Sequence, residues 1–290
     1  MILRRARWGA GAAIVMAFAT GLPAAAPPQT APSARPAASD FILPGPFIQG
    51  GIAIGTAPAG TRALRFGEVA VPIAADGRFL IAFDRDAAPS ATLSARRSDG
   101  SSITRTLTVA PRAWRIERLP TLPRFPKPSA EFARLRAPEL AQIAAARDRV
   151  SDAEGWRQRF IWPATGRVSG LFGAQRIYRG EPGAYHSGVD VAKAEGAEIV
   201  APADGVVILA ADHPFTLEGN LLMIDHGMGL NSAFLHLSRI DVCVGDRVRQ
   251  GQLIGRVGRT GRATGPHLHW GMKWGDSRID PLLVAGPMPK

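Results

Sequence analysis

From Phe160 to the C-terminus, short apolar runs alternate with glycine turns, and no long helical periodicity interrupts them. Glu198–Ala201, Gly205–Leu209, Leu221–Ile224, Ser232–Leu235, Arg247–Arg249, Leu253–Val257 and His267–Trp270 read as strands. Asp204-Gly205 and His226-Gly227 mark turns between them. Runs this short and this closely joined pair antiparallel, so residues 160–290 are expected to form a mainly β, mostly antiparallel domain.

Upstream, the pattern divides again. Glu68–Ile73, Arg78–Phe83, Ala91–Ala95 and Ile103–Val109 read as strands, with Asp76-Gly77 and Asp99-Gly100 as hairpin turns. Residues 41–119 are therefore expected to form a small β-sandwich-like module, and no cluster in it looks catalytic. Residues 120–159 read as a Pro-rich and helical linker. Ser129 is placed to cap a short first helix, and Pro138 to open a second bearing Leu140, Ile143, Ala144 and Arg147 on one stripe. Ser151-x-x-Glu154 reads as a capping box. The plain expectation for this arm is packing on the next domain; the sharper one is a helix over a groove.

The N-terminus carries Arg4, Arg5 and Arg7, an apolar run from Gly9 to Leu22, then Ala24-Ala25-Ala26. That order reads as a secretory signal over residues 1–26, with Ala19, Ala25 and Ala26 as cleavage points and Pro27 disfavouring the last. The apolar run is shorter than the ~20 residues of a membrane span. An uncleaved anchor is the alternative, and this segment is where transient membrane contact is expected. Residues 27–40, rich in Pro, Ala and Ser, are expected to be a disordered linker. Export to the periplasm, or outside the cell, makes nucleic acid an unsuitable partner. The net charge of +11 favours anionic partners, although abundant arginine alone accounts for it. No dense basic run with interleaved aromatics is present. The one cysteine, Cys243, excludes an intrachain disulfide and is expected to be a buried, inert thiol.

Four of the six histidines fall in three short C-terminal strings. These are His186-Ser-Gly-Val-Asp190, Phe-Leu-His236-Leu-Ser and Gly-Pro-His267-Leu-His269-Trp. Imidazole and carboxylate are the usual non-thiol zinc ligands. In a strand, His267 and His269 share a face, roughly 7 Å apart. A straight strand would hold His186 and Asp190 about 13 Å apart, too far to share an ion. The backbone must bend between them, and Gly188 is expected to permit it. A helix would also unite them, but Gly and β-branched residues argue against one. His213 and His226 are expected to be loop or turn residues, and Arg176 and Tyr178 to lie on the surface or along a groove.

Taken in order, these strings resemble the LytM/lysostaphin-type zinc endopeptidases, peptidase family M23. The resemblance spans about residues 160–283. It includes Val200-Ala-Pro-Ala-Asp-Gly-Val-Val207, Val244-Gly-Asp-Arg-Val-Arg-Gln-Gly-Gln-Leu-Ile-Gly255 and Thr260-Gly-Arg-Ala-Thr-Gly-Pro-His-Leu-His269. It implies one Zn2+ per chain held by His186, Asp190 and His269, and catalytic roles for His236 and His267. It further implies hydrolysis of peptide crosslinks in bacterial peptidoglycan by a zinc-bound water, with stem peptides as partners. His267 is the expected general base; His236 would orient the water or stabilise the oxyanion. Without a wall-binding repeat, a D-Ala–diaminopimelate crosslink is the expected bond. Two departures stand out: Phe234 replaces the tyrosine common before the isolated histidine, and Gly271 replaces a frequent glutamate. A non-catalytic LytM-like domain that binds wall or activates another hydrolase is the alternative, set against it by five filled positions. A β-hybrid carrier, suggested by Val200–Val207, lacks a lysine in its turn.

Overall fold

The structure, a computed structural model, describes residues 39–123 and 129–289. The expected signal at 1–26 and nearly all of the expected linker at 27–40 lie outside the described residues. Among the described residues, no helix is long and apolar enough to cross a membrane.

The N-terminal part contains β1 (Phe47–Ile48), β2 (Ile52–Thr56), β3 (Thr61–Phe66), β4 (Val69–Ala70), β5 (Arg78–Ala82), β6 (Ser90–Arg97) and β7 (Ser102–Ala110). They form one sheet in the order β1-β7-β6-β3-β4 and a separate β2-β5 pair. Phe83, just past β5, joins the two sheets, its ring 5.5 Å from Phe66 and 5.5 Å from Phe47. The β6–β7 hairpin turns at Asp99-Gly100, as its sequence predicts, with Gly100 at φ 85°. Asp76-Gly77 is also a turn, but β5 pairs with β2 and not with β4. The expected strand Glu68–Ile73 shrinks to β4, because Pro72 cannot donate to a ladder.

Strand β8 (Ile116–Leu119) leaves the N-terminal sheets and pairs in parallel with β10 (Gln175–Tyr178) of the C-terminal part. The last residues of 41–119 thus belong to a C-terminal sheet. Next comes α1 (Ala130–Arg147), capped by Ser129, whose Oγ accepts from the Phe132 N–H. Two helices were expected; one continuous helix runs through Pro138. The missing proline N–H is tolerated because residues beside it are tied down. Arg136 pairs with Glu218 at 2.5 Å, and Glu139 accepts from Thr216 N–H at 2.6 Å. The expected stripe is displaced accordingly: Glu139, Ile143 and Ala146 are buried, and Leu140 and Ala144 are exposed. Ile143 and Ala146 pack on Leu209, Leu221 and Met223. Ser151 caps no helix; its Oγ donates to Asp225, and a 3-10 turn follows at Gly155–Arg157. Trp156 of that turn and Phe160 are buried, so this end of the expected linker is anchored in the core.

The C-terminal part continues with β9 (Arg167–Gly170), β11 (Glu181–Pro182), β12 (Gly188–Ala192), β13 (Glu198–Val200), β14 (Gly205–Ala210), β15 (Asn220–Asp225) and β16 (Leu230–Leu237). It closes with β17 (Arg239–Ile240), β18 (Arg247–Val248), β19 (Leu253–Arg256), β20 (His267–Trp274), β21 (Ser277–Ile279) and α2 (Pro281–Ala285). The main sheet runs β18-β14-β15-β16-β20-β12-β9, all antiparallel, with β21 on β20. A small sheet, β13-β19-β17, packs beside it. The mainly β class read from the sequence is the class observed. Cys243 departs from expectation: it is exposed, because Asp241–Gly245 is a turn whose Cys243 N–H donates to Asp246.

Candidate active site

Strands β12 and β20 lie side by side, with Asp190 directly opposite His269. On β12, Val189 and Val191 point into the core and leave Asp190 on the other face. His186 sits just before β12, where the chain turns back. Its N–H donates to the Ala174 carbonyl, and its own carbonyl accepts from Gly173 N–H. The bend that the sequence demanded therefore exists, but Gly188 serves it differently. Its φ is not in the left-handed region; instead, a Cβ there would lie 2.4 Å from the Trp270 oxygen and 2.7 Å from His269 Nε2. Close strand approach, not backbone freedom, requires the glycine.

The three side chains converge. His186 Nε2 is 3.0 Å from Asp190 Oδ1 and 3.0 Å from His269 Nδ1. His269 Nδ1 is 2.9 Å from Asp190 Oδ1. The His186 Nδ1–H donates to the Leu171 carbonyl at 3.0 Å, so the neutral ring carries its lone pair on Nε2 and only the protonated ring can donate from there. Two imidazole nitrogens and a carboxylate oxygen thus meet with too few protons to satisfy one another. Burial opposes the charged form of Asp190, yet hydrogen bonds from His186 and His269 hold its carboxyl far below the usual range. Burial also opposes a charged His186, but Asp190 raises its pKa through a hydrogen bond and its charge. Burial lowers the pKa of His269.

His267 and His236 stand beside this cluster. His267 Nε2 is 3.8 Å from Asp190 Oδ1, and its Nδ1–H donates to the Gly265 carbonyl at 2.8 Å. The His236 and His267 rings are 4.8 Å apart. His236 lies at an irregularity between β15 and β16 and takes a φ of 66°, rare for a non-glycine residue. Its Nδ1–H donates to the Thr260 carbonyl at 2.8 Å. Burial, then repulsion from His267 and His269, lowers its pKa to about 4. His236 therefore presents an unprotonated Nε2.

The remaining histidines separate from the site. His213 is exposed and bonded to Asp212. His226 follows β15 at the start of a turn but is fully buried; it bonds the Asp204 carbonyl and Ser232 and packs on Phe160. Arg176 pairs with Glu117, and with Tyr178 it lines a separate cavity beside Leu119. Several supporting residues were not visible in the sequence. The Leu171, Thr260 and Gly265 carbonyls orient rings, and backbone acceptors carry no side-chain signature. Gly170 faces Asp190, where a Cβ would lie 2.3 Å from Oδ2. A groove of about 190 Å³, walled by α1 on one side, opens at His269.

An imidazole–carboxylate cluster on one face of two neighbouring strands of an antiparallel sheet defines a mainly β domain with a candidate metal site. The profile of Peptidase family M23 matches residues 184–281, a stretch containing His186, Asp190, His236, His267 and His269. This C-terminal stretch belongs to peptidase family M23, of the LytM type. The peptidoglycan DD-endopeptidase ShyA of Vibrio cholerae is 40% identical over 117 residues, covering 39% of this chain and 26% of that protein. The DD-carboxypeptidase/endopeptidase Mpg of Neisseria meningitidis is 38% identical over 128 residues, covering 43% of this chain and 28% of that protein. The chain thus spans about a quarter of the length of these curated relatives. A solved Pseudomonas aeruginosa structure described as a peptidase M23 superposes with a TM-score of 0.65 at 28% identity, covering 83% of this chain and 96% of that one. That match extends well beyond the M23 stretch into the N-terminal sheets.

Proposed function

We propose that this protein is an exported zinc metalloendopeptidase that cleaves peptide crosslinks of bacterial peptidoglycan in the periplasm. The observation that carries the reading is the convergence of His186 Nε2, Asp190 Oδ1 and His269 Nδ1 within 3.0 Å of one another. Three acceptors short of protons suit a divalent cation, and two imidazoles with one carboxylate suit zinc. Zinc held by these three residues supplies a Lewis acid that acidifies water and polarises a carbonyl. The Leu171 carbonyl fixes the His186 tautomer for that task.

The other steps belong to the protein. His267, its Nδ1–H held by Gly265, turns a basic Nε2 toward the cluster and takes a proton from the attacking water. It then returns the proton to the leaving amine. His236 stays neutral and presents an acceptor, which favours orienting water over donating to an oxyanion. The two named relatives both carry endopeptidase in their names, which supports a crosslink substrate. The Arg- and Ala-bearing N-terminus supports export.

The test is zinc content and digestion of purified peptidoglycan by the full chain. Wild type is expected to hold one zinc and release crosslink-derived peptides. His267→Ala is expected to keep the zinc and lose activity roughly 100-fold or more. A zinc-loaded wild type that releases nothing would leave a binding or activating role instead, and a variant as active as an active wild type would remove His267 as the base.

A further inference from the structure

The groove that opens at His269 is also lined by Arg147, Arg278, Lys273, Asn231 and Ser187. Its charges are unequally neutralised. Arg136 nearby is paired with both Glu139 and Glu218, and Lys273 is paired with Asp276 at 3.0 Å. Arg147 and Arg278 form no ion pair among the described residues. Arg147 comes from the last turn of α1, whereas Arg278 lies on β21 with its guanidinium over the Tyr185 ring at 5.3 Å. Desolvation, and then the like charge of Arg278, hold the Arg147 pKa down; Glu218 and Asp276 pull it the other way from beyond pairing distance. Two guanidiniums brought together without a counter-ion suit an anion. A second observation points to the same place: Asn231 is 6% exposed, lines the groove, and its amide has no hydrogen-bond partner among the described residues. That amide opens to the groove rather than being sealed in the core, so it is free to bond a ligand there.

We infer that this part of the groove is a carboxylate subsite, in which Arg147, Arg278 and Asn231 hold an acidic group of the substrate peptide. The inference rests on the peptidase reading and names the chemistry of its substrate. Planar guanidiniums bind carboxylates by paired, charge-assisted hydrogen bonds. Because one arginine is supplied by α1, the helix is a wall of the binding site and sets which peptides fit.

Binding can be measured without turnover, by calorimetry on the full chain at low ionic strength. The probes are a wall tetrapeptide with free carboxylates and the same peptide with every carboxyl amidated. Wild type is expected to bind the acid form about tenfold more tightly than the amide form. Arg147→Gln and Arg278→Gln are each expected to remove most of that preference, and the exposed Arg134→Gln to keep it. A role for Arg147 in merely closing the helix end would not move this ratio. Equal affinity of wild type for both peptides, no binding of either, or a preference that survives in both groove variants would overturn the subsite. Peptidoglycan digestion separates the two readings. A wild type that digests wall but ignores the carboxylates loses only the subsite; one that prefers the acid peptide yet releases nothing loses only the peptidase.

Discussion

Burying an imidazole makes stability depend on pH, and His226 shows this away from the candidate site. It is fully enclosed, and burial pushes its pKa down to about 4. In an unfolded chain the same ring titrates near 6.5. As pH falls, the unfolded chain takes up the proton first. The contribution is therefore intact above about pH 6.5 and declines as pH drops toward 4, by roughly 3 kcal/mol in all. Denaturant unfolding between pH 7.5 and 4.5 should show this loss, and His226→Gln should show a shallower one. An identical pH slope in the variant would remove His226 as the cause. At this scale the sequence was informative where chemistry shows in the residue type. The strings around His186, His236 and His267 could be read because few other residues do what imidazoles do. Gly170 and Gly188 could not be read correctly, since their reason lies in a strand brought alongside from elsewhere: Asp190 for one, Trp270 for the other. His226 was assigned to a turn because its neighbour is Gly227; its burial under Phe160 is a tertiary fact.

Helix α1 is held by charge as much as by apolar contact. Arg136, Glu139 and Glu218 have side chains only 13%, 7% and 16% exposed. Burial opposes the charged form of Glu139, but bonds from Thr216 and Arg136 hold its carboxyl below the usual range. Removing Arg136 would strand two carboxylates in a poorly hydrated place, at a cost of about 3 kcal/mol. Arg136→Ala should therefore raise amide exchange in α1 on the order of 100-fold, while exchange in β20 changes far less. Unchanged exchange in α1 would show that the apolar face alone holds the helix. The N-cap at Ser129 was legible because it is local, whereas Pro138 misled because its tolerance depends on Glu218 and Thr216, some eighty residues away. Strand β12 follows the same logic in reverse: Val189 and Val191 alternate about Asp190, so its period was present but too short to stand out.

Across the whole molecule, the N-terminal part reaches toward the candidate metal cluster through Arg85, in the turn after β5. Arg85 is 6% exposed, and its guanidinium donates to the Gly173 carbonyl at 3.0 and 3.2 Å. It also covers the Tyr185 ring at 4.7 Å. Gly173 N–H in turn donates to the His186 carbonyl. Arg85→Ala would unsatisfy Gly173 and loosen the segment that presents His186. Zinc affinity, measured by competition with a chelator, should fall roughly 10- to 100-fold. Unaltered affinity would show that the loop is rigid by itself. The module expected to lack catalytic residues thus has a positioning part that no motif announces.

The parallel pairing of β8 with β10 has a consequence for how such chains are inherited. Residues 116–119 occupy the flank of β10 and bring Trp114 onto Phe172. A chain cut at residue 160 would bare that flank, an open hydrogen-bonding edge of the kind that recruits foreign strands. The stretch bearing the histidines is therefore flanked by a strand that lies well upstream of it in sequence. Any exchange of it between genes has to carry this short upstream segment along, or find another strand to seal the gap.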